Sequence, residues 1–362
     1  MMGASSSYTV QNLTQVIAIA AGGFHTVVAQ HDGTVWTWGR SDAGQLGTGR
    51  VQGRGSYSSV PVQVPAMTHV SAVAAGGEHT LALRRDGTVW AWGANDYGQL
   101  GRGPHTLGAE STARPMRVLG LTDVRAIAAG RAHNVVVRRD RTVWAWGING
   151  YGELGVEGND SAVPVQVPGL PAVAAVAAGE NHSLALALDG TVWTWGLNVE
   201  EDAAEEATAS PRPVAGVTDV VAVAAGKFHS LALRRDGMVW AWGSNYFGQL
   251  GNGHTESRST PLPVDNLEDV TGIAAASLHN LAVRRDRTVW AWGADELRDL
   301  VGDDDVVPAQ VPALHDVAMV ATGDNHAIAL TGAGTVKTWG WNNFGQLGNG
   351  EEGTHYYLPQ DD

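Results

Sequence analysis

The sequence predicts an all-β protein: a closed ring of seven four-stranded antiparallel blades, the β-propeller arrangement. Three observations carry this. A histidine follows an Ala-Ala-Gly-like string seven times, at His25, His79, His133, His182, His229, His279 and His326, at intervals of 47 to 54 residues. A Trp-x-Trp-Gly string follows the first six histidines, and the seventh copy, "VKTWG", keeps Trp339 in register. The runs between are short, rich in Val and Trp and bounded by turn residues, and no ten-residue segment has a helical period. Self-similarity at about 50 residues with four strands per unit describes a propeller blade. An open solenoid is the alternative, and it would need capping repeats at both ends.

Each copy divides in the same order. An apolar run such as "VSAVAAG" (70–76) comes first, then "HTLALRR" (79–85) and the dipeptide Asp86-Gly87. The strand "TVWAWG" (88–93) follows, then a Gly-rich loop and an extended piece such as "VPVQV" (60–64). Asp-Gly between two strands suits a type I′ hairpin, whose central residues both need positive φ. Repeats 3 and 6 carry Asp140-Arg141 and Asp286-Arg287 there, so they take either local strain or another turn type. The blades are expected at 16–64, 70–118, 124–167, 173–214, 220–264, 270–311 and 317–362 of one domain. The segment "SYTVQNLTQV" (7–16) aligns with "PLPVDNLEDV" (261–270), which matches Tyr8 to Val10 with an outermost strand. Residues 7–11 are therefore expected to complete blade 7 and close the ring, with the terminal "THYYLPQ" as the competing candidate.

Repeated residues read as structural. Trp residues at i and i+2 share one side of a strand, and facing blades would bury them. Each buried Trp hides about 150–250 Å², which at roughly 25 cal/mol per Å² is at most ~4–6 kcal/mol. Seven histidines raise the question of a metal, but zinc needs its ligands about 2.0–2.1 Å from one point. Sevenfold placement holds the rings apart, so each histidine is expected to bond backbone groups of its own blade. The Gly and Asn of the long loop supply positive φ, and the aromatic before Gly-Gln-Leu-Gly (Tyr97, Phe247, Phe344) is expected to anchor that loop.

Composition limits the function. The 362 residues carry a net charge of −14, against a role in coating nucleic acid or anionic membranes. There is no cysteine, hence no disulfide, thiolate metal site or cysteine nucleophile. No run approaches the roughly 20 apolar residues of a spanning helix. "VIAIAAGG" lacks a preceding basic residue and recurs as repeat text, so it reads as structure and not as a signal peptide. "MMGASSS" reads as a disordered tip. These features favour the cytoplasm, and the Ala/Val/Arg-rich text points to a bacterial or GC-rich source. No G-x-S-x-G, phosphate-binding loop, dinucleotide fingerprint or H-E-x-x-H occurs, and no cofactor or metal site is expected.

The carrying motifs are A-A-G-x-x-H, D-G-x-V-W-x-W-G and N-x-x-G-Q-L-G-x-G, the last complete at 95–103 and repeated at Asn245 with 248–253 and at Asn342 with 345–350. Together they resemble the regulator-of-chromosome-condensation (RCC1-like) repeat family over essentially the whole chain. The resemblance implies a seven-bladed propeller. Functions in that family diverge: an exchange factor for a small nuclear GTPase, a plant UV-B photoreceptor, and bacterial proteins of unassigned role. A propeller-type β-lactamase inhibitory protein is a more distant relative. The photoreceptor's sensing Trp stands two residues before the histidine. That position here holds Gly23, Gly77, Arg131, Glu180, Lys227, Ser277 and Asp324, so the resemblance does not extend to ultraviolet sensing.

Internal repetition separates blade-building positions from free ones. The pair before each histidine varies while its surroundings do not, and propeller geometry puts these seven turns around one mouth of the shaft. Phe24, Phe228 and Leu278 would be apolar and at least partly exposed there, and Arg131 and Lys227 would stand among Glu78, Glu180 and Asp324. Such a ring suits a protein partner. The rim varies too: Arg40, Arg50, Arg54, Arg102, Arg114 and Arg117 mark a basic sector, and residues 200–206 and 295–305 an acidic one. The expectation is a monomer, or weak charge-driven self-association, acting as a non-catalytic module that binds a protein at the mouth. The alternatives are guanine-nucleotide exchange on a small GTPase, or an enzyme or enzyme inhibitor working at the same face.

Overall fold

The computed structural model describes residues 8–49, 53–103, 111–197, 208–293, 306–312 and 314–357. The 1–7 tip, Arg50 and the acidic stretches at 200–206 and 295–305 lie outside them. Seven antiparallel sheets make up the described chain, and in six of them the strands lie in sequential order. Blade 1 runs through Val16–Ala21, His25–Gln30, Val35–Arg40 and Tyr57–Gln63. Blades 2 to 6 start at Val70, Val124, Val173, Val220 and Val270 and repeat this plan. Among the described residues no helix is long and apolar enough to cross a membrane.

Blade 7 contains Val317–Thr322, His326–Thr331 and Val336–Asn342, and both candidate closing segments join it. Tyr8–Thr9 pairs with Thr338 and Lys337, while Gly353–Tyr357 pairs with Gly340 to Asn342. The fourth strand is therefore shared end to end by the two segments. Val10 completes the equivalence. Its N–H bonds Val336 O at 2.9 Å, as Val64 bonds Val35 O and Val118 bonds Val89 O at 2.9 Å in their own blades.

The core lies between the blades. Each of seven apolar clusters joins neighbouring blades; one sets Trp92 of blade 2 against Val27, Val35 and Val64 of blade 1, and another closes the ring by packing Val10, Val16 and Trp38 on Ile328, Leu330 and Val336. Only the second Trp of each pair is sealed in: Trp38, Trp92, Trp146, Trp195, Trp242, Trp292 and Trp339 are at most 2% exposed. The first Trp is half-buried near the strand start and capped by an arginine in several blades, with Arg84 4.3 Å from the Trp90 ring.

The hairpins are not type I′. Gly33 N bonds Gln30 O at 2.9 Å and Gln30 N bonds Thr34 O at 3.0 Å, while of the turn residues only Gly33 has positive φ, 86°. This is a type I turn closed by a left-handed bulge residue. The Asp32 carboxylate accepts from Thr34 N and Thr34 Oγ1 at 2.9 and 2.7 Å, which fixes the Asp outside the left-handed region. Arg141 and Arg287 fill the bulge position with φ of 73° and 65°, so repeats 3 and 6 keep the turn and carry the strain.

Candidate functional site

The seam around the shaft is built first. Each repeated histidine is buried, and its Nε2 reaches the next blade, not backbone of its own. His25 meets Thr80 Oγ1 at 3.0 Å, His79 meets Asn134 Oδ1 at 2.7 Å and His326 meets Thr26 Oγ1 at 2.8 Å, closing the ring. The sequence reasoning missed this because in six of the seven seams the partner stands one position after the next blade's histidine, far away in sequence, and for His279 it is Thr322, four residues before His326. Asn134 Oδ1 can only accept, and Thr80 Oγ1 already donates to Gln45 O at 2.9 Å. Both facts make Nε2 the donor, and burial without a counter-charge keeps the rings neutral. Burial lowers their pKa values from 6.5 to about 3 for His25, His133, His182 and His326 and to about 4 for His79, His229 and His279.

The Gly-Gln-Leu-Gly loop is a staple across the same seams. The Gln45 carbonyl takes Thr80 Oγ1–H and the Trp92 indole N–H, at 2.9 and 2.8 Å, both from the next blade. Gln99, Glu153, Gln249 and Gln346 repeat this with Asn134/Trp146, Ser183/Trp195, Asn280/Trp292 and Thr26/Trp38. The loop is anchored by its Asn and Gln, whose side chains accept from Leu100 N and Tyr97 N at 3.1 and 2.9 Å. The aromatic therefore need not anchor it: Tyr97 and Phe247 are 41% and 49% exposed.

The seven variable turns do ring one mouth of the shaft, around a cavity of about 620 Å³. Their backbones are tied blade to blade: Gly77 N bonds Arg131 O at 3.1 Å, Arg131 N bonds Gly179 O at 3.2 Å and Glu180 N bonds Gly226 O at 3.3 Å. Side chains at these positions are thus presented from a fixed frame. Glu180 is held by two cations, Arg131 Nη1 at 3.0 Å and Lys227 Nζ at 3.6 Å. Asp324 enters from blade 7 with no hydrogen bond or ion pair among the described residues. Its carboxyl keeps contact with solvent yet is walled in by the shaft. That desolvation raises its pKa, Glu180 adds to the rise, and Lys227 and Arg131 oppose it.

The remaining candidates divide. Phe24 is half-buried and meets Phe344 edge to face, ring centroids 5.4 Å apart. Arg40 lies 5.3 Å from the Phe344 ring and bridges Glu78 at 3.1 Å and Asp42 at 2.8 Å, so this arginine serves the mouth and not a basic rim. Phe228 is a correction: it is 7% exposed, beneath Lys227, whose Nζ stands 5.3 Å from its ring. An apolar ring at this turn gains by leaving water, and the Lys227 ammonium covers it. Leu278 is half-buried and does not line the cavity. Asp96 and Tyr97 do line it. They belong to the long loop, and the signal was their variation at a fixed site, the criterion applied to the shorter turns.

Comparison with known proteins agrees with this architecture. The RCC1-like domain matches residues 4–209 and 53–361. The mitochondrial RCC1 domain-containing protein RUG3 of Arabidopsis thaliana is 40% identical over 147 residues, 39% of this chain and 32% of that protein. Human E3 ubiquitin-protein ligase HERC2 is 36% identical over 143 residues, 38% of this chain and 3% of that protein. The matches thus span about a third or less of these curated relatives. Among solved structures, human WBSCR16 superposes with a TM-score of 0.78 at 25% identity, covering 90% of this chain and 89% of that one. Prp20p of Saccharomyces cerevisiae gives 0.74 at 26% identity, covering 89% and 82%. With seven blades, a histidine-bonded shaft and family matches that together span nearly its whole length, this chain belongs to the RCC1-like domain family.

Proposed function

We propose that the chain is a non-catalytic interaction propeller that holds a protein partner at the mouth formed by the turns before the repeated histidines. One observation carries this reading: Arg131, Glu180, Lys227 and Asp324 converge there from four blades, at a position that the other copies fill with glycine or serine. Exposed Tyr97 and half-buried Phe24 add the aromatic area that interface centres favour. The strongly perturbed histidines sit inside the seams, which supports a binding role over acid–base chemistry at this face. The test compares wild type with Arg131→Glu/Lys227→Glu/Asp324→Lys as affinity baits at matched thermal midpoints. Loss of a wild-type partner from the variant supports the reading, and equal recovery by both removes it.

Nucleotide exchange on a small GTPase is the second reading. It is favoured by the superposition on Prp20p, whose structure is described together with binding to Gsp1p and histones. Release of labelled nucleotide from a panel of small GTPases, faster with wild type than with the charge-reversed variant, would support it. Unchanged release across the panel would leave the scaffold reading alone.

A further inference from the structure

Blade 1 holds one of its own arginines at the mouth. The Arg40 guanidinium donates from Nε and Nη2 to Asp42 at 2.9 and 2.8 Å, and from Nη1 to Glu78 of the next blade at 3.1 Å. It lies 5.9 Å from the Phe24 ring and 5.3 Å from the Phe344 ring. The long loops of blades 1 and 2 align through their Gly-Gln-Leu-Gly, so Arg40 corresponds to Ala94, Asp42 to Asp96 and Ala43 to Tyr97. The same alignment puts Gly150, Tyr246 and Asn343 at the aspartate's position in blades 3, 5 and 7. Blade 2 therefore keeps the carboxylate of this arrangement and lacks its arginine.

The place of that arginine faces the mouth cavity. Gly77, Glu78, Ala94, Asp96 and Tyr97 all line it. Ala94 is 3% exposed and forms a small apolar floor, while Asp96 and Tyr97 are exposed. Asp96 has no hydrogen bond or ion pair among the described residues, and Glu78 uses only Oε1, on Arg40. The two cations of the cavity wall, Arg131 and Lys227, both turn to Glu180, at 3.0 and 3.6 Å. Outside the described residues the chain has two arginines, Arg50 and Arg298, and no lysine. Arg50 follows Gly49, whose N–H is fixed to Ala113 O on the outer strand of blade 2 at 2.8 Å.

We infer that blade 2 offers a seat for an arginine side chain of the partner protein, an inference that rests on the mouth being the docking face. The filled copy in blade 1 defines what fits. Asp96 takes the incoming guanidinium as Asp42 takes that of Arg40, and Glu78 stands beside it with its second oxygen. The aromatic flank is Tyr97 of the same loop, in place of Phe344 from the preceding one. A guanidinium suits such a seat better than an ammonium, because its planar fork pairs with a carboxylate and its face stacks on an aromatic ring. The partner thus supplies at blade 2 the cation that the chain supplies to itself at blade 1.

The probe is the tripeptide acetyl-Gly-Arg-Gly-amide, with the citrulline tripeptide, isosteric and uncharged, as its control. The readout is the ring signal of Tyr97 in the full-length protein with all seven tyrosines labelled with ¹³C, assigned with Tyr97→Phe. Saturable movement is expected with the arginine peptide and none with the citrulline peptide. Asp96→Asn should weaken binding about fivefold or more. Ala94→Arg, which places the missing guanidinium in the chain itself, should shift the Tyr97 signal without peptide and abolish binding. Absence of movement, equal movement with citrulline, or undiminished binding by Asp96→Asn would overturn the inference. So would movement seen only in Arg50→Ala or Arg298→Ala, since the chain would then fill its own seat. None of these results touches the mouth reading, whose charge-reversed bait leaves Ala94, Asp96 and Tyr97 intact. Full partner recovery by that bait, with the tripeptide still binding wild type, would remove the mouth reading and with it the protein source of the arginine.

Discussion

Acid should unfold this protein through its shaft. Seven buried histidines have pKa values of about 3 to 4 in the folded chain, against 6.5 when exposed. A depressed folded pKa contributes stability that is complete above 6.5 and is lost as pH falls, because the unfolded chain takes up protons that the folded one cannot. At pH 5.5 each histidine favours unfolding by about 1.4 kcal/mol, so the seven together favour it by about 10 kcal/mol. That rivals the entire stability of an ordinary domain, roughly 5–15 kcal/mol. Urea titrations followed by tryptophan fluorescence at pH 7.5, 6.5 and 5.5 measure the effect. The slope of unfolding free energy against pH near 5.5 should correspond to about six protons. A slope of two or fewer would refute the assignment of neutral rings in the folded shaft.

Three further outcomes can be checked. Glu153 replaces the staple Gln and is fully buried with Oε1 unpartnered and a raised pKa, chiefly from desolvation; Glu153→Gln should stabilise by about 1–3 kcal/mol at neutral pH. That gain should shrink on acidification, since the folded state protonates its raised carboxyl first, and a pH-independent gain would contradict it. A methyl group at Gly76 would lie 2.5 Å from Gly130 O and against the His79 ring, while at Gly150 it would meet nothing within 4 Å. Gly76→Ala should therefore cost about 3 kcal/mol or more and Gly150→Ala less than about 0.5, read as midpoint shifts in chemical denaturation. Deleting residues 1–11 removes Tyr8–Thr9 and the 3%-exposed Val10, and should cost at least the ~1.5–3 kcal/mol of one buried valine. An unchanged calorimetric midpoint would assign closure to Gly353–Tyr357 alone.

The architecture was legible because it is written seven times. Periodicity placed the strands, and the match between Tyr8–Val10 and an outermost strand located one half of the closure. The other half was underdetermined, since "THYYLPQ" has no internal counterpart and only the register on Gly340 to Asn342 shows where it fits. Turn type was misread because Asp-Gly is compatible with two hairpins that differ by one residue in length. The Asp32 carboxylate, bonded to Thr34, selects the longer. At the mouth the charged residues were found by variation among copies. Phe228 was misplaced because variation marks freedom from the repeat and not exposure. The staple could not be read from single blades, because its donors and acceptor lie on different copies.

The divided outer strand of blade 7 makes the wheel a hoop with a clasp. Tyr8 lies beside Thr338, and Gly353–Tyr357 continues the same edge. During synthesis, six blades must wait as an arc with two raw flanks until Val336–Asn342 leaves the ribosome, and long-range pairing of this kind is slow and prone to wrong partners. Under heat or tension the clasp is held by two short strips where every other blade has one continuous outer strand. If both strips let go, the His326–Thr26 bond across that joint is the shaft contact left open to water.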